Sequence, residues 1–575
     1  MKNTLSMNLL RLALIFNFQL LIFNSSLYGQ VELNQVGFYS NAPIIAAVVF
    51  EPDVNEYKIV AETGEELGGG VLGSPMPSKN SSLTVRQIYF NLVNTPGKYR
   101  IVVGNHESGL FTVGDHVLSD VAKAVLKAFY YQRVSEPLEA EHAGRWARPA
   151  GHPDTQVEIH PSAASPQRPA GTIISSPGGW YDAGDYNKYI VNSGITTATL
   201  LSAYEDFPRY YQQLTVNIPE TGNGVPDLLN EILCNLRWML TMQDPNDGGV
   251  YHKCTNANFD GMVMPGVTKD TRYAVQKSTA AALNFTAVMA QASRVFSQFP
   301  KELPGLADSC LLAAKQSWDW ALQHPDILYR QFAINRQFQP AIATGEYGDN
   351  RLDDEWFWAA VEMYATTSDS QYKTKAKEYL NDQWQIPSWN QVYLLGVYTL
   401  LRIKEPEFTP AFTQKLIEMA DNFVASIAGN AFSVVMGQER SDFVWGSSSV
   451  AANQGILLIQ AYLLTQDKKY LNAALGNVDY LLGRNATGYC FVTGFGSKPV
   501  MRPHHRPSEA DGIDDPVPGL LSGGPNPGMQ DKCNYPFTDP ERAFVDVMES
   551  YASNEIAINW NAPAVYLLNA IEALM

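Results

Sequence analysis

The chain has 575 residues, 45% of them hydrophobic and 17% charged, and a formal net charge of −17. That length exceeds one ordinary core and predicts two or more domains, and the composition is that of a folded chain rather than a disordered one. A balance this acidic excludes nucleic acid and anionic membrane surfaces as partners, since both would repel it.

Lys2 and Arg11 precede an apolar run over 12–23, which is followed by Asn24-Ser25-Ser26. This is the layout of a secretory signal peptide, residues 1–30, cleaved between Ser26 and Gln30. The run is shorter than the ~20 residues a membrane span needs and is interrupted by Asn17 and Gln19, so removal is expected rather than anchoring. No cysteine follows it and no later stretch is long and apolar enough to span, which predicts a secreted protein, extracellular or periplasmic, acting as a monomer.

Residues 31–115 carry short β-rich runs at 44–50, 57–60, 83–90 and 98–103, punctuated by Gly, Pro, Asn and Ser. They predict a small all-β sandwich of immunoglobulin type. It lacks an aromatic strip, so a bracing role is expected, covering the first helix of the next domain around Val121, Val125 and Leu126. From about 118 the spacing turns helical, over 120–134, 195–204, 225–242, 278–297, 308–322, 353–367, 391–403, 412–427, 450–465, 470–482 and 562–575. Helical pairs joined by long loops fit a solenoid or a closed toroid, and the unequal loops weaken a repeat reading. No Gly/Ser- or Pro-rich linker joins the two regions, so rigid packing is expected. Cys234, Cys254, Cys310, Cys490 and Cys533 form no Cys-x-x-Cys pair, which leaves no zinc ribbon or redox motif.

Three stretches gather groups suited to sugar chemistry. The first is Gly179-Trp180-Tyr181-Asp182-Ala183-Gly184-Asp185-Tyr186, the second Pro503-His504-His505-Arg506-Pro507, and the third runs from Phe544-Val545-Asp546 through Tyr551 and Glu555 to Trp560-Asn561-Ala562. Cleaving a glycosidic bond takes one carboxylic acid to protonate the leaving oxygen and one carboxylate to activate water or attack. Rings beside such groups stack on a pyranose, and a His–Arg cluster recognises hydroxyls. Paired aspartates in a loop are, taken alone, as readily turn formers or metal ligands.

Together these residues resemble glycoside hydrolase family 9. Phe544, Asp546, Tyr551, Glu555, Ala557, Asn561 and Ala562 stand at the spacing of its C-terminal signature. The stretch from Val492-Thr493-Gly494-Phe495-Gly496 to His504-His505-Arg506 is similar to its second signature, and Asp182-Ala183-Gly184-Asp185 to a further hallmark. Leu33-Asn34-Gln35-Val36-Gly37-Phe38 resembles the first strand of the immunoglobulin-like module that precedes many catalytic domains of the family. The resemblance implies an all-α (α/α)6 barrel over 116–575 and inversion of the anomeric centre. It implies Glu555 as general acid, with apolar neighbours Ile556-Ala557-Ile558, and Asp185 as general base with Asp182 helping to hold the water. His504 and Asp546 complete the expected catalytic set. Trp180, Tyr181, His252, Trp445, His505, Arg506, Tyr551 and Trp560 are the expected substrate contacts.

The oxygen-rich loop 345–355 suits a hard cation. The resemblance implies structural calcium there, on Asp349, Asn350, Asp354 and Glu355, with a further ligand from Ser388-Trp389-Asn390, where the family often has aspartate at the place of Asn390. Zinc is not expected, because His142, His152 and His160 have no cysteine among them. No catalytic cofactor is implied. The expected activity is endo-β-1,4-glucanase on cellulose or a related β-glucan. Alternatives are an endo-xyloglucanase, a mixed-linkage glucanase, or an exo-acting member releasing short glucan or glucosamine units. A non-catalytic carbohydrate-binding protein would predict loss of Asp182, Asp185 or Glu555, and all three are present. No scaffold-docking module is visible.

Overall fold

The computed structural model describes residues 30–49, 53–90 and 95–575, so the expected signal segment lies outside the described residues except for Gln30. Two sheets form the first domain, antiparallel throughout except that β2 and β10 pair in parallel. One has the order β1 (Gln30–Glu32), β3 (Ile44–Val49), β7 (Thr84–Phe90), β6 (Met76–Pro77). The other has the order β2 (Gly37–Tyr39), β10 (Phe111–Gly114), β8 (Gly97–Val103), β4 (Glu56–Ala61), β5 (Glu66–Val71), with β9 (His106–Glu107) beside β8. Along β8, Tyr99, Ile101 and Val103 point inward while the residues between them are more exposed, the period-two pattern of a half-buried strand. The core of this sandwich includes Phe38, Ile59, Ile88, Phe90, Ile101 and Phe111, with Phe38 and Phe111 edge-to-face at 5.4 Å.

Among the described residues twelve helices of nine residues or more follow: α1 (Ser119–Tyr131), α2 (Ile190–Asp206), α3 (Asp227–Thr241), α4 (Thr279–Phe296), α5 (Leu306–Gln323), α6 (Asp353–Thr367), α7 (Ser370–Glu378), α8 (Tyr393–Arg402), α9 (Thr409–Ser426), α10 (Ser447–Thr465), α11 (Lys468–Leu481) and α12 (Ile558–Leu574). They alternate between an outer and an inner ring. Inner α2 packs on α4, α4 on α6 and α6 on α8, while α10 packs on α12, which returns to α2. This is an (α/α)6 barrel. Every residue of α2 from Ile190 to Tyr204 is buried, as is all of α4 but Arg294. Outer α9 buries only Leu416 and Ala420. A helix enclosed on all sides has no apolar stripe, and an outer helix has one.

The C-terminal halves of the inner helices are tied together by a polar plug. Asp206 on α2 accepts from Arg402 Nε on α8 at 2.7 Å, Gln460 Nε2 on α10 at 2.8 Å and the Tyr566 hydroxyl on α12 at 2.6 Å. Arg294 on α4 bridges Glu205 of α2 and Glu362 of α6, each at 2.8 Å. The opposite end of the barrel, where the inner helices begin, carries the long loops.

The sandwich docks without a linker, since β10 ends at Gly114 and α1 begins at Ser119. Its Tyr39, Ala47 and Val85 join the apolar core of the barrel. Asn34 donates to buried Asp479 on α11 at 2.8 Å, and Asp479 also pairs with buried Arg484 at 2.8 Å, whose guanidinium reaches the Ile45 carbonyl. Glu572 on α12 accepts from the Tyr39 hydroxyl and from the Leu118 amide. The polar contacts of the sandwich run to α11, α12 and the segments 430–437, 482–498 and 539–541, while its Tyr39, Ala47 and Val85 share one core with Val121, Val125 and Leu126 of α1. The inner side of α1 is held by α12, where Asn561 donates to the Val125 carbonyl at 2.7 Å and Asn569 to that of Ala122 at 3.1 Å. Replacing Asp479 with Ala would strand the Arg484 charge in the interface. Its expected cost is about 3–5 kcal/mol, read from urea unfolding, against about 1 kcal/mol for Asn34→Ala.

Candidate active site

At the open end, a cleft of about 1240 Å³ is lined by the segments that lead into five inner helices: 182–189 before α2, 345–347 before α6, 385–391 before α8, 441–446 before α10, and 551–557 before α12. Helix N-termini carry partial positive charge, so carboxylates gathered there are favoured.

The three motif stretches meet through backbone contacts. Ala183 bridges Ala557, and His504 bridges Glu555, with the His504 amide donating to the Asn554 carbonyl at 2.9 Å. Gly184 is the pivot. A Cβ there would stand 2.0 Å from the His504 carbonyl oxygen, so only glycine lets the aspartate loop lie against the second stretch. Arg506 seals the contact by donating to the Gly184 carbonyl at 2.6 Å and to the Asp260 carbonyl at 3.0 Å.

The two aspartates have different surroundings. Both oxygens of Asp182 are engaged, Oδ1 by Asn192 and Oδ2 by the Tyr347 hydroxyl, each at 2.7 Å. At Asp185 both donors converge on Oδ2, Asn187 at 2.6 Å and Tyr189 at 3.1 Å, and among the described residues none donates to Oδ1. Burial, then the Asp185 charge, raises the Asp182 carboxyl to about 8. Glu555 lies in the cleft wall and accepts no side-chain hydrogen bond. Burial first, then Asp185 and Asp182, holds its carboxyl well above the usual range, against a smaller opposing effect of Arg506. His504 donates from Nδ1 to the Met548 carbonyl at 2.7 Å, which leaves Nε2 as an acceptor. Its pKa is lowered, chiefly by burial.

Trp445, 42% exposed, lies 5.4 Å from Tyr551 at an interplanar angle of 37°, and Trp560 lines the same wall. Arg506 also lines the cleft. Four expected substrate contacts do not. Trp180 is fully buried against Phe129 at 4.6 Å and anchors the aspartate loop in the core. Tyr181 is buried behind the loop, its hydroxyl 2.8 Å from His152 Nδ1. His252 is enclosed between Ser278, at the start of α4, and the Glu346 carbonyl, each at 2.8 Å, and stacks on Tyr329. His505 sits between Gln132 and Ser508, and burial pushes it down to about 3. Asp546, expected in the catalytic set, is also outside the lining. It accepts from the Met501 and Arg502 amides, each at 2.8 Å, and from Asn554 at 3.0 Å, which ties the second stretch to the third. Trp180, Tyr181, His505 and Asp546 each share a motif with a residue that does reach the cleft, and periodicity gives no way to tell facing from supporting positions.

Tyr189, Tyr347, Trp389 and Asn559 line the cleft and were not singled out as contacts from the sequence. Tyr347 and Trp389 lie inside the two segments read as metal-ligating, which was the available signal. In that region Glu355 is fully buried against the Asp349 and Asp354 carboxyls, and among the described residues no amide, hydroxyl or cationic side chain donates to its oxygens or to Asp349 Oδ2. Burial raises both carboxyls and that of Asp354, and the charges of Asp349 and Asp354 add to the effect at Glu355. Asp354 Oδ2 accepts from the Val392 amide at 2.7 Å, and Asn390 accepts from Ser388 at 2.8 Å. No three carboxylate, imidazole or thiol groups among the described residues already converge as a cage, yet orphaned buried oxygens are the donors a hard cation takes. His142, His152 and His160 sit in separate networks, with Asn217, Tyr181 and Ser162.

Gly184→Ala should separate the aspartate loop from His504. Loss of more than tenfold in turnover and a lowered melting temperature are expected, measured by hydrolysis rate and calorimetry.

The family model for glycosyl hydrolase family 9 matches residues 119–568, and that for the cellulase N-terminal Ig-like domain matches 28–108. A xyloglucan-specific endo-β-1,4-glucanase of Bacteroides ovatus is 48% identical over 95% of this chain and 94% of its own. Endoglucanase D of Acetivibrio thermocellus is 32% identical over 94% of this chain and 83% of its own. Among solved structures, a Bacteroides ovatus family 9 enzyme superposes with a TM-score of 0.90 at 46% identity, covering 95% of this chain and 99% of the other. A thermostable endoglucanase of Alicyclobacillus acidocaldarius gives 0.84 at 29% identity, covering 94% and 99%. With the barrel, the sandwich and the three meeting motifs, these matches identify the chain as a glycoside hydrolase of family 9 with an N-terminal immunoglobulin-like domain.

Proposed function

We propose that the protein is an endo-acting, inverting β-1,4-glucanase in which Glu555 protonates the leaving oxygen and Asp185 activates water. The observation that carries this assignment is the asymmetry between the aspartates. Asp182 has both oxygens engaged, whereas Asp185 keeps Oδ1 for a water molecule. Asp182 then holds the water from its second side as a neutral or shared-proton group, consistent with its raised pKa. Glu555, kept protonated by burial and two neighbouring carboxylates, is the donor. His504 offers Nε2 to a sugar hydroxyl, and Trp445, Tyr551 and Trp560 form an apolar wall for pyranose faces. Asp546, half-buried and bonded to the Met501 and Arg502 amides, acts as a positioning residue. The cleft exceeds the roughly 300–1000 Å³ of a small-ligand pocket, which suits a polymer.

Xyloglucan is the favoured substrate on the strength of the Bacteroides ovatus relative and its coverage of nearly the whole chain. Among the described residues no helix is long and apolar enough to cross a membrane, which accords with export. Asp349, Asp354 and Glu355 would hold a structural Ca²⁺, with Asn350 and Asn390 as further oxygen donors. The ion would neutralise the buried carboxylates and steady the loop that brings Tyr347 to Asp182.

Glu555→Gln and Asp185→Asn should each lower turnover by about a thousandfold or more with binding retained, and NMR of fresh product should show the α-anomer first. Activity should fall at low pH as the base gains its proton, and at high pH as Glu555 loses its own. Initial β-anomer, or wild-type turnover in either variant, would overturn the assignment. Oligosaccharide profiles from xyloglucan, mixed-linkage glucan and carboxymethyl cellulose should show the highest rate on xyloglucan. Chelation with EDTA should lower the melting temperature and added Ca²⁺ restore it, whereas Glu355→Gln should abolish that recovery.

A further inference from the structure

Beneath the cleft floor lies a lysine that the reaction as described does not use. Lys253 is on β14 (Lys253–Thr255) and is fully buried. Its cross-strand partner is Tyr189 of β13 (Lys188–Tyr189). Its Nζ donates to Gln331 Oε1 at 2.6 Å, the Gly345 carbonyl at 2.6 Å and Thr344 Oγ1 at 3.1 Å. Three acceptors match the three protons of an ammonium and exceed those of a neutral amine. All three are uncharged, and among the described residues no carboxylate forms an ion pair with Lys253. The Nζ also stands 5.5 Å from the ring centre of Tyr189 and 5.4 Å from that of Tyr329. A buried cation without an ion pair is costly, and charges that act on it from further away must offset that cost. Asp185 and Glu346 do so, and Tyr189, between Lys253 and the cleft, donates its hydroxyl to Asp185 Oδ2 at 3.1 Å.

We propose that Lys253 is a positioning residue for the water-activating carboxylate, its ammonium supplying through the Tyr189 ring the positive charge that balances Asp185 from the protein side. This rests on the reading of Asp185 as the base. Burial pushes Lys253 down to about 7, so the ammonium is fully formed over the acidic range in which a carboxylate base titrates. The other groups facing Asp185 are Asp182, Glu555, His504, Tyr189 and, on the Glu555 side, Arg506. Those facing Lys253 besides Asp185 and Glu346 are His252 and His160, whose pKa values are lowered in part by its charge. Burial and the neighbouring carboxyl of Asp182, which shares its charge with the pair, oppose ionisation of Asp185, and a buried cation behind Tyr189 counters both.

The test is the pH profile of kcat/KM on a soluble β-glucan. In Lys253→Met the acidic limb is expected to move upward by about one pH unit, as removing a nearby cation stabilises the protonated base. A packing role alone would lower the plateau and leave the limb in place. Should Lys253→Met fail to fold, Gln331→Glu decides, because a carboxylate beside Nζ cancels its field without touching the buried lysine. It should move the limb in the same direction by a smaller amount. An unmoved limb in a folded variant overturns the role of Lys253, provided Asp185→Asn is inactive. Activity retained in Asp185→Asn overturns the assignment of the base, and this inference with it.

Discussion

Asp206 and its partners set the frame on which the cleft depends. Six inner helices run in one direction, and their C-terminal halves are cross-linked by Asp206, Glu205, Arg294, Glu362, Arg402, Gln460 and Tyr566. The plug holds charges in compensated groups, so each arginine is fixed by carboxylates from a neighbouring helix. With that end closed, the N-terminal ends open together, and the segments leading into them converge on one cleft. A loop entering an inner helix has little freedom in where it delivers its side chains.

Within that frame the chemistry depends on keeping three carboxyl groups near each other in a poorly hydrated place. Their mutual repulsion and desolvation oppose ionisation, which serves a general acid and hinders a general base. Donors resolve the conflict unevenly. Asp182 receives Asn192 and Tyr347, Asp185 receives Asn187 and Tyr189 on one oxygen, and Glu555 receives no side-chain donor. Behind these donors a second set of buried groups fixes the first. Asn187 Oδ1 accepts from Thr255 at 3.0 Å and from the Asn256 amide at 2.9 Å, which turns its amide nitrogen toward Asp185. The small sheet of β11 (Val157–Ile159), β12 (Ile173–Ile174), β13, β14 and β15 (Arg272–Ala274) carries much of this layer.

That sheet was not legible beforehand, because strands of two or three residues are too short to show a period. Five of the six outer helices were legible to within a few residues, since one buried face recurs at helical spacing, whereas α7, which buries only Tyr372 and Ala376, was not. Inner α2 was read only from 195, because Asn192 and Ser193 look like exposed positions and are buried with their polar atoms inside the barrel. The sandwich was expected from its alternation, and its docking face was not, since Asn34, Gln35 and Tyr39 give no sign of reaching residues more than 400 positions away.

The sequence by itself determined the two domain types, eleven of the twelve longer helices and, through the three motifs, the family and the candidates Asp182, Asp185 and Glu555. These follow from local periodicity and from short spacings that survive without knowledge of the fold. Only the tertiary structure decided which motif residues face the cleft. Trp180, Tyr181, His505 and Asp546 share motifs with cleft residues and are turned into the wall, where they anchor the chain. It also decided the difference between the aspartates, because Tyr347 reaches Asp182 from a distant segment and the turn into α2 brings Asn192 to Asp182 and Tyr189 to Asp185. Side-chain direction and donor supply depend on contacts between distant parts of the chain, and a local pattern carries no record of those.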